Sequence, residues 1–164
     1  MTRYARFASP LGPVIAIADD DGIRHVDFVG AKYERRVARE WIEDPANPAL
    51  RACGSQLAEY FAGTRTRFDL PLAPRGSQFQ QRVWGEIARV PYGETISYAE
   101  LARRAGAPGK ARAAGAATGR NPVGVVIPCH RIVGSDGSLT GYAGGLERKR
   151  ELLELEGVLQ RSLA

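Results

Sequence analysis

The chain has 164 residues, 44% of them hydrophobic and 25% charged, with a net charge of +5. Those proportions describe a globular chain with enough apolar matter for a real core, built as one large domain or two small ones, and they exclude disordered and fibrous classes. No stretch approaches membrane-spanning length and no apolar leader-type run follows Met1-Thr2-Arg3-Tyr4, so a cytoplasmic protein is the expectation.

In chain order, residues 3–8, 14–18 and 23–29 alternate or run apolar like strands, with Asp19-Asp20-Asp21-Gly22 supplying the turn between the last two. They predict an antiparallel meander. A helix is signalled from Asn47 as cap and Pro48 at the first helical position, with Leu50, Cys53, Leu57, Tyr60 and Phe61 on one face and Gly63 at the stop. Cys53 belongs to that stripe, and packing is its expected task. Residues 68–72 read as a further strand, and the Pro- and Gly-bearing run 71–76 reads as a linker. The boundary predicted there divides an N-terminal domain, 1–76, from a C-terminal domain, 77–164.

The second half is predicted to be mainly helical. Ser77 caps a segment with Phe79, Val83, Ile87 and Val90 on one side, ended by Pro91-Tyr92-Gly93. Ser97 and Glu100 form a capping-box pattern ahead of a short helix that stops near Gly106 and Pro108, and another helix runs from about 110 to 118. Two short helices around Gly106-Ala107-Pro108-Gly109 make a helix-turn-helix candidate. The fold class expected is therefore α+β, a small antiparallel sheet with a helix followed by a helical domain containing a helix-turn-helix.

Charge is unevenly placed: residues 1–76 hold eleven Lys/Arg against ten Asp/Glu, and residues 77–164 hold twelve against eight. Arg103, Arg104, Lys110, Arg112, Arg120 and Arg131 fall between 101 and 131 with no acidic residue among them. Such a stripe suits a polyanion. A solvated surface in a chain with twenty Arg and three Lys is the competing reading. The second helix of the pair is nearly smooth, since Ala111, Ala113, Ala114, Gly115, Ala116 and Ala117 offer nothing long enough to read base edges in a major groove. A smooth helix can bring its backbone close to a narrow groove and contact shape and phosphate, although some of these alanines must serve core packing. Arg112 is the long exception, placed to fill a gap in a base stack.

One cysteine, Cys129, directly precedes one of two histidines, His130, in Ile127-Pro128-Cys129-His130-Arg131. A thiolate is a nucleophile only when a neighbour stabilises it, whereas a buried structural cysteine needs no such company. Cys53, Cys129, His25 and His130 lack metal-ligand spacing, so no metal is expected.

The motifs Ser97-Tyr98, Lys110-Ala111-Arg112-Ala113-Ala114-Gly115, Gly119-Arg120-Asn121-Pro122, Ile127-Pro128-Cys129-His130-Arg131, Gly141-Tyr142-Ala143-Gly144-Gly145 and Leu152-Leu153-Glu154-Leu155-Glu156-Gly157 occur in this order. Together they resemble the O6-alkylguanine-DNA alkyltransferases over the second half of the chain. The resemblance implies direct reversal of alkylation damage in double-stranded DNA, with little sequence preference, minor-groove binding, base flipping and no cofactor. O6-alkylguanine is the implied lesion, with O4-alkylthymine as a second one. It implies that Cys129 accepts the alkyl group irreversibly, that His130 and Glu156 activate it through a water, and that Asn121 links the recognition helix to the active segment. Tyr98 would donate to the guanine. The implied DNA contacts are Ser97, Lys110, Arg112, Ala113, Ala114, Gly115 and Arg120. Tyr98, Ile132, Tyr142, Ala143 and Gly144 are the implied substrate contacts. Ala143 stands where many members have serine and so lacks a hydroxyl contact to the guanine, and Gly124 stands where some have proline, a lost wall that predicts weak use of benzyl-type substrates. A nucleoid-associated location is expected, and residues 1–76, which specify no chemistry of their own, are expected to brace the second domain and to host contacts to neighbouring copies on DNA.

Two rival classes use the same residues differently. A cysteine hydrolase would want Cys-His-acid with turnover and an oxyanion site, and a helix-turn-helix regulator would explain the basic stripe while leaving Cys129 idle. A thiol of ordinary pKa is roughly 3% ionised at pH 7, so full ionisation gains about thirtyfold at most. Near-attack positioning, at roughly 7 to 11 kcal/mol, is expected to outweigh it.

Overall fold

The computed structural model describes residues 1–32 and 34–160. They form two compact units, residues 1–75 with 122–124, and residues 76–121 with the chain from 125 onward. No helix among the described residues is long and apolar enough to cross a membrane.

The first unit carries β1 (Arg3–Phe7), β2 (Val14–Asp19), β3 (Gly22–Phe28) and β4 (Ile42–Glu43) in the order β3-β2-β1-β4. β2 lies centrally and is covered on both faces, with every residue from Val14 to Ala18 at most 3% exposed. That is why its sequence is a continuous apolar run rather than an alternation. The helix α1 (Pro48–Phe61) begins as predicted: Asn47 Oδ1 accepts from the N–H groups of Ala49 (3.1 Å) and Leu50 (3.2 Å). Its stripe Leu50, Cys53, Leu57 and Tyr60 is buried, each large side chain contributing about 1.5 to 3 kcal/mol.

Two expectations change. The sheet is not wholly antiparallel, because the two-residue β4 pairs parallel with β1. Residues 68–72 form no strand: Ile23 donates to the Pro71 carbonyl (2.7 Å) and Ala73 to the Ile23 carbonyl (2.8 Å), leaving one isolated parallel bridge, Ile23 to Leu72. Pro71 has no N–H with which to extend a ladder. On the same strand, Val26 donates to Pro122 O (2.9 Å) and accepts from Gly124 N (2.8 Å).

The second unit holds α2 (Gln78–Ala88), β5 (Ile96–Ser97), α3 (Tyr98–Arg104), α4 (Ala111–Gly119), β6 (Ile132–Val133) and α5 (Leu146–Leu155). Ser77 and Gln80 close a complete capping box on α2 (3.1 and 2.9 Å). Trp84, also on α2, is 3% exposed and donates from Nε1 to Ala117 O (2.8 Å), which fastens α2 to α4. The box predicted at α3 is only half made. Ser97 Oγ accepts from Glu100 N (3.0 Å), but the Glu100 carboxylate is taken by Arg103 and Arg104 at 2.6 to 2.8 Å. Gly106 at φ +79° ends α3, and α4 begins after Lys110, completing the helix-turn-helix pair.

Candidate active site

Cys129 lies on a single 3-10 turn, Cys129–Arg131, that runs straight into β6. The tight turn supplies the bent path that adjacent Cys and His side chains need in order to serve one site. β6 pairs parallel with β5, Ile96 opposite Ile132 and Ser97 opposite Val133, which ties the cysteine segment to the start of α3. Asn121, just beyond α4, hydrogen-bonds Cys129 and donates from Nδ2 to Ile127 O (2.8 Å), so its amide fixes the cysteine segment from both sides. Four residues before the cysteine, Val125 has φ +66°. A β-branched residue in the left-handed region costs about 1 to 3 kcal/mol and persists only where its surroundings enforce it.

Cys129 is 7% exposed, and burial pushes its thiol pKa up. The hydrogen bond from Asn121 and the charge of Lys149 oppose that shift. The resting sulfur is therefore a thiol, and proton removal carries more weight than a free thiol's pKa suggested. His130 is fully buried and its pKa is lowered, first by burial, with the Arg131 and Lys149 charges adding to it, while the Glu156 hydrogen bond opposes. Its Nε2 lies 2.6 Å from Glu156 Oε2. With the imidazole neutral and the carboxylate ionised, Nε2 carries the proton and donates it, so Nδ1 is an acceptor. Nδ1 is buried and has no hydrogen-bond partner among the described residues.

Glu156 caps α5 and is held from three directions. Arg131 donates from Nε (2.8 Å) and Nη2 (3.0 Å), Gly93 from its backbone N–H (3.1 Å), and His130 completes the set. Arg131 also donates to Val90 O (2.7 Å). The basic stripe expected from sequence is thereby thinned: Arg131 is 6% exposed and belongs to the site, and Arg103 and Arg104 are paired with Glu100.

Lys149, which sequence reasoning passed over, is fully buried. Its ammonium donates to Ile132 O (2.6 Å), Thr140 O (2.9 Å), Gly141 O (3.3 Å) and Tyr98 Oη (3.5 Å). Tyr98 itself donates to Thr140 O (3.0 Å). Its pKa is raised by burial and by the nearby Cys129, so the phenol stays protonated. Arg148 donates to Gly144 O (3.0 Å). Adjacent cations of α5 thus hold the loop bearing Tyr142, Ala143 and Gly144, all half-buried. The Tyr142 phenol is pushed well up by burial, with the charges of Cys129 and Glu156 adding to it. Ile132 is fully buried, and its carbonyl is engaged by Lys149.

On α4, Arg112, Ala113 and Ala116 face outward with the flanking Lys110 and Arg120, while Gly115 is half-buried beside the Tyr98 ring. Ala114 is different. It is fully buried, so its side chain packs inward with Ala117 and Thr118 instead of lying on the outer face. Ser97 is half-buried at the α3 cap. An added Cβ at Gly124 would stand 3.0 Å from Val26 O, so this backbone is closely approached. A cleft of about 570 Å³ between α2 and the end of α3 is lined by Gln81, Arg82, Glu86, Arg89 and Arg104 among others, none of them a member of the Cys129 cluster. Among the described residues no group of three His, Cys, Asp or Glu could hold a metal ion.

Comparison with known proteins covers both units. The family model for the 6-O-methylguanine DNA methyltransferase DNA-binding domain matches residues 78–158, and that for its ribonuclease-like domain matches residues 2–74. The methylated-DNA–protein-cysteine methyltransferase of Methanosarcina acetivorans is 44% identical over 154 residues, 94% of this chain and 97% of that protein. The protein of the same name from Mycobacterium tuberculosis is 46% identical, over 95% of this chain and 93% of its own length. The crystal structure of Mycobacterium tuberculosis OGT in complex with DNA superposes with a TM-score of 0.85 at 45% identity, covering 94% of this chain and 92% of that one. With both domain models matched in order and relatives this similar along nearly their whole lengths, the chain belongs to the 6-O-methylguanine DNA methyltransferase family.

Proposed function

We propose that this protein repairs O6-alkylguanine in double-stranded DNA by moving the alkyl group to Cys129, irreversibly and once per molecule, after the damaged base swings out of the duplex. The observation that carries the reading is the orphaned Nδ1 of a neutral His130 whose other nitrogen is fixed on Glu156, beside a buried thiol. Glu156 and its Arg131 clamp fix the tautomer, so Nδ1 takes the thiol proton through a bridging water. Sulfur then attacks the saturated carbon in line with the departing O6, a displacement that suits a soft nucleophile and needs no cofactor. Tyr98, protonated at rest, donates to the guanine as charge builds there. The half-buried loop of Tyr142, Ala143 and Gly144 fits the role of pocket wall, and Ala143 keeps its backbone N–H while lacking the hydroxyl of a serine.

The outer face of α4 suits a minor groove: small residues let its backbone approach, Lys110 and Arg120 flank it, and Arg112 replaces the vacated nucleotide. Binding of this kind is sequence-blind and weakens as salt rises. Mass spectrometry after mixing with excess O6-methylguanine duplex tests the whole reading. One methylene-equivalent mass gain on Cys129, and no more per molecule, is expected. Turnover of many lesions by one molecule, or binding that depends on base sequence with Cys129 unmodified, would refute it.

A further inference from the structure

We infer that the charge of Arg131, set against Glu156, keeps a resting proton off His130 Nδ1, so that this nitrogen is vacant when the Cys129 thiol must give its proton up. This rests on the alkyl-transfer reading above and gives the arginine a task beyond bracing the carboxylate. The cluster is sealed: the side chains of His130 and Glu156 are 0% exposed and that of Arg131 is 7% exposed. Charges in such a place must nearly cancel. Carboxylate and guanidinium already cancel through a fork, Nε on Oε1 at 2.8 Å and Nη2 on Oε2 at 3.0 Å. His130 Nε2 meets the same Oε2 at 2.6 Å. A proton added to the imidazole would therefore be a surplus charge, and it would join two cations, Arg131 and Lys149, around one carboxylate. The other titratable groups around the cluster, the Cys129 thiol and the Tyr142 phenol, are neutral at rest, since burial raises both.

Without the charge of the guanidinium the situation reverses. The surplus is then that of Glu156, buried 2.6 Å from a basic nitrogen, and uptake of one proton cancels it. That proton lodges on the imidazole, which then has an N–H on both nitrogens, or on the facing carboxyl oxygen, which donates to Nε2 and sends the ring's own proton to Nδ1. In both forms Nδ1 is a donor, and the thiol proton has no acceptor. The remaining contacts of Arg131 hold the cation where it is needed: Nη1 donates to Val90 O (2.7 Å), and the guanidinium carbon lies 5.7 Å from the centroid of the Tyr92 ring. Arg131 is on this account a positioning residue, touching no reacting atom and acting on the thiol only through His130.

Nitrogen NMR of protein labelled at histidine reads this directly, because the chain has two histidines and a His25→Gln variant identifies the signals of the other. Wild-type His130 is expected to show a bare Nδ1 and a protonated Nε2 from pH 6 to 8. In Arg131→Met, and in Arg131→Gln, which keeps an N–H donor for the carboxylate without the charge, Nδ1 is expected to be protonated at pH 7. Arg131→Lys, which keeps the charge without the fork, should resemble wild type. Single-turnover transfer from an O6-methylguanine duplex at pH 7 should fall about a hundredfold in the Met and Gln variants and no more than about tenfold in the Lys variant, at an unchanged half-saturating DNA concentration. The double variant His130→Ala/Arg131→Met should be no slower than His130→Ala. A bare Nδ1 in the Met or Gln variant, equal slowing in all three variants, or losses that multiply in the double variant overturn the inference and leave Arg131 a brace. Should neither uncharged variant fold, wild type and Arg131→Lys decide, and a protonated Nδ1 at pH 7 in either one overturns it. No transfer by wild-type protein defeats the parent reading, whereas wild-type transfer with a bare Nδ1 in Arg131→Gln defeats this one alone.

Discussion

Replacing Glu156 by Gln removes one charge and almost no volume from the interior of the second unit. The carboxylate is fully buried and its partner Arg131 has a side chain only 7% exposed, so the change strands a guanidinium that water reaches poorly. The amide also presents two N–H groups where four donors converge, from Arg131 (two), Gly93 and His130, and one face of it must be mismatched. Breaking a buried pair on one side costs about 3 to 5 kcal/mol, a fifth or more of the stability of an ordinary domain at roughly 5 to 15 kcal/mol. Removing both charges, in Glu156→Gln/Arg131→Met, should recover a large part of that loss, because the stranded cation is gone. Urea unfolding followed by tryptophan fluorescence measures this, in a Trp41→Phe background so that Trp84, buried in the second unit, is the reporter. A single-variant loss under about 1 kcal/mol, or a double variant as weak as the two singles summed, would refute the buried clamp.

Three further outcomes are expected. His130→Ala should leave slow but detectable transfer and Cys129→Ala none, with duplex affinity kept in both, as read by single-turnover kinetics and a binding titration. His25, brought down to about 4 chiefly by burial with Arg35 and Arg24 adding, is held neutral by the fold. Its contribution is complete above the ordinary histidine value and is lost as pH falls from about 6.5 through 4; a His25→Gln variant should lose less stability over that window than wild type in urea melts. Gly22→Ala should destabilise the first unit, since Gly22 sits at φ +137° and a Cβ there would collide with the Pro71 carbonyl; an unchanged melting temperature would show that the turn can shift.

What could be read in advance was what is decided locally. Asn47 and Pro48 set a helix start by satisfying their own neighbours, and the apolar runs on either side of Asp19-Asp20-Asp21-Gly22 signalled the β2–β3 hairpin. The cysteine segment set Cys129 beside His130 in adjacent residues. The misreadings came from partners distant in sequence. Residues 68–72 have strand-like composition, but Pro71 limits them to one bridge. Glu100 has capping-box spacing, yet two arginines on its own helix claim the carboxylate. Arg131 counted as surface charge until Glu156, twenty-five residues on, drew it inside. Lys149 left a trace that could have been found: Lys149, Leu152, Leu153 and Glu156 follow helical spacing, so the apolar stripe of α5 has a charged residue at each end.

That spacing makes α5 a gauge rod. Lys149 and Glu156 stand seven residues apart, close to two full turns, so they share one azimuth about 10 Å apart along the axis. A change of one or two residues in that count breaks the phase. Inserting one alanine between them would swing one by about 100° relative to the other while leaving the helix intact. Point substitutions in this stretch can be absorbed one at a time, but a change in its length would uncouple both ends together.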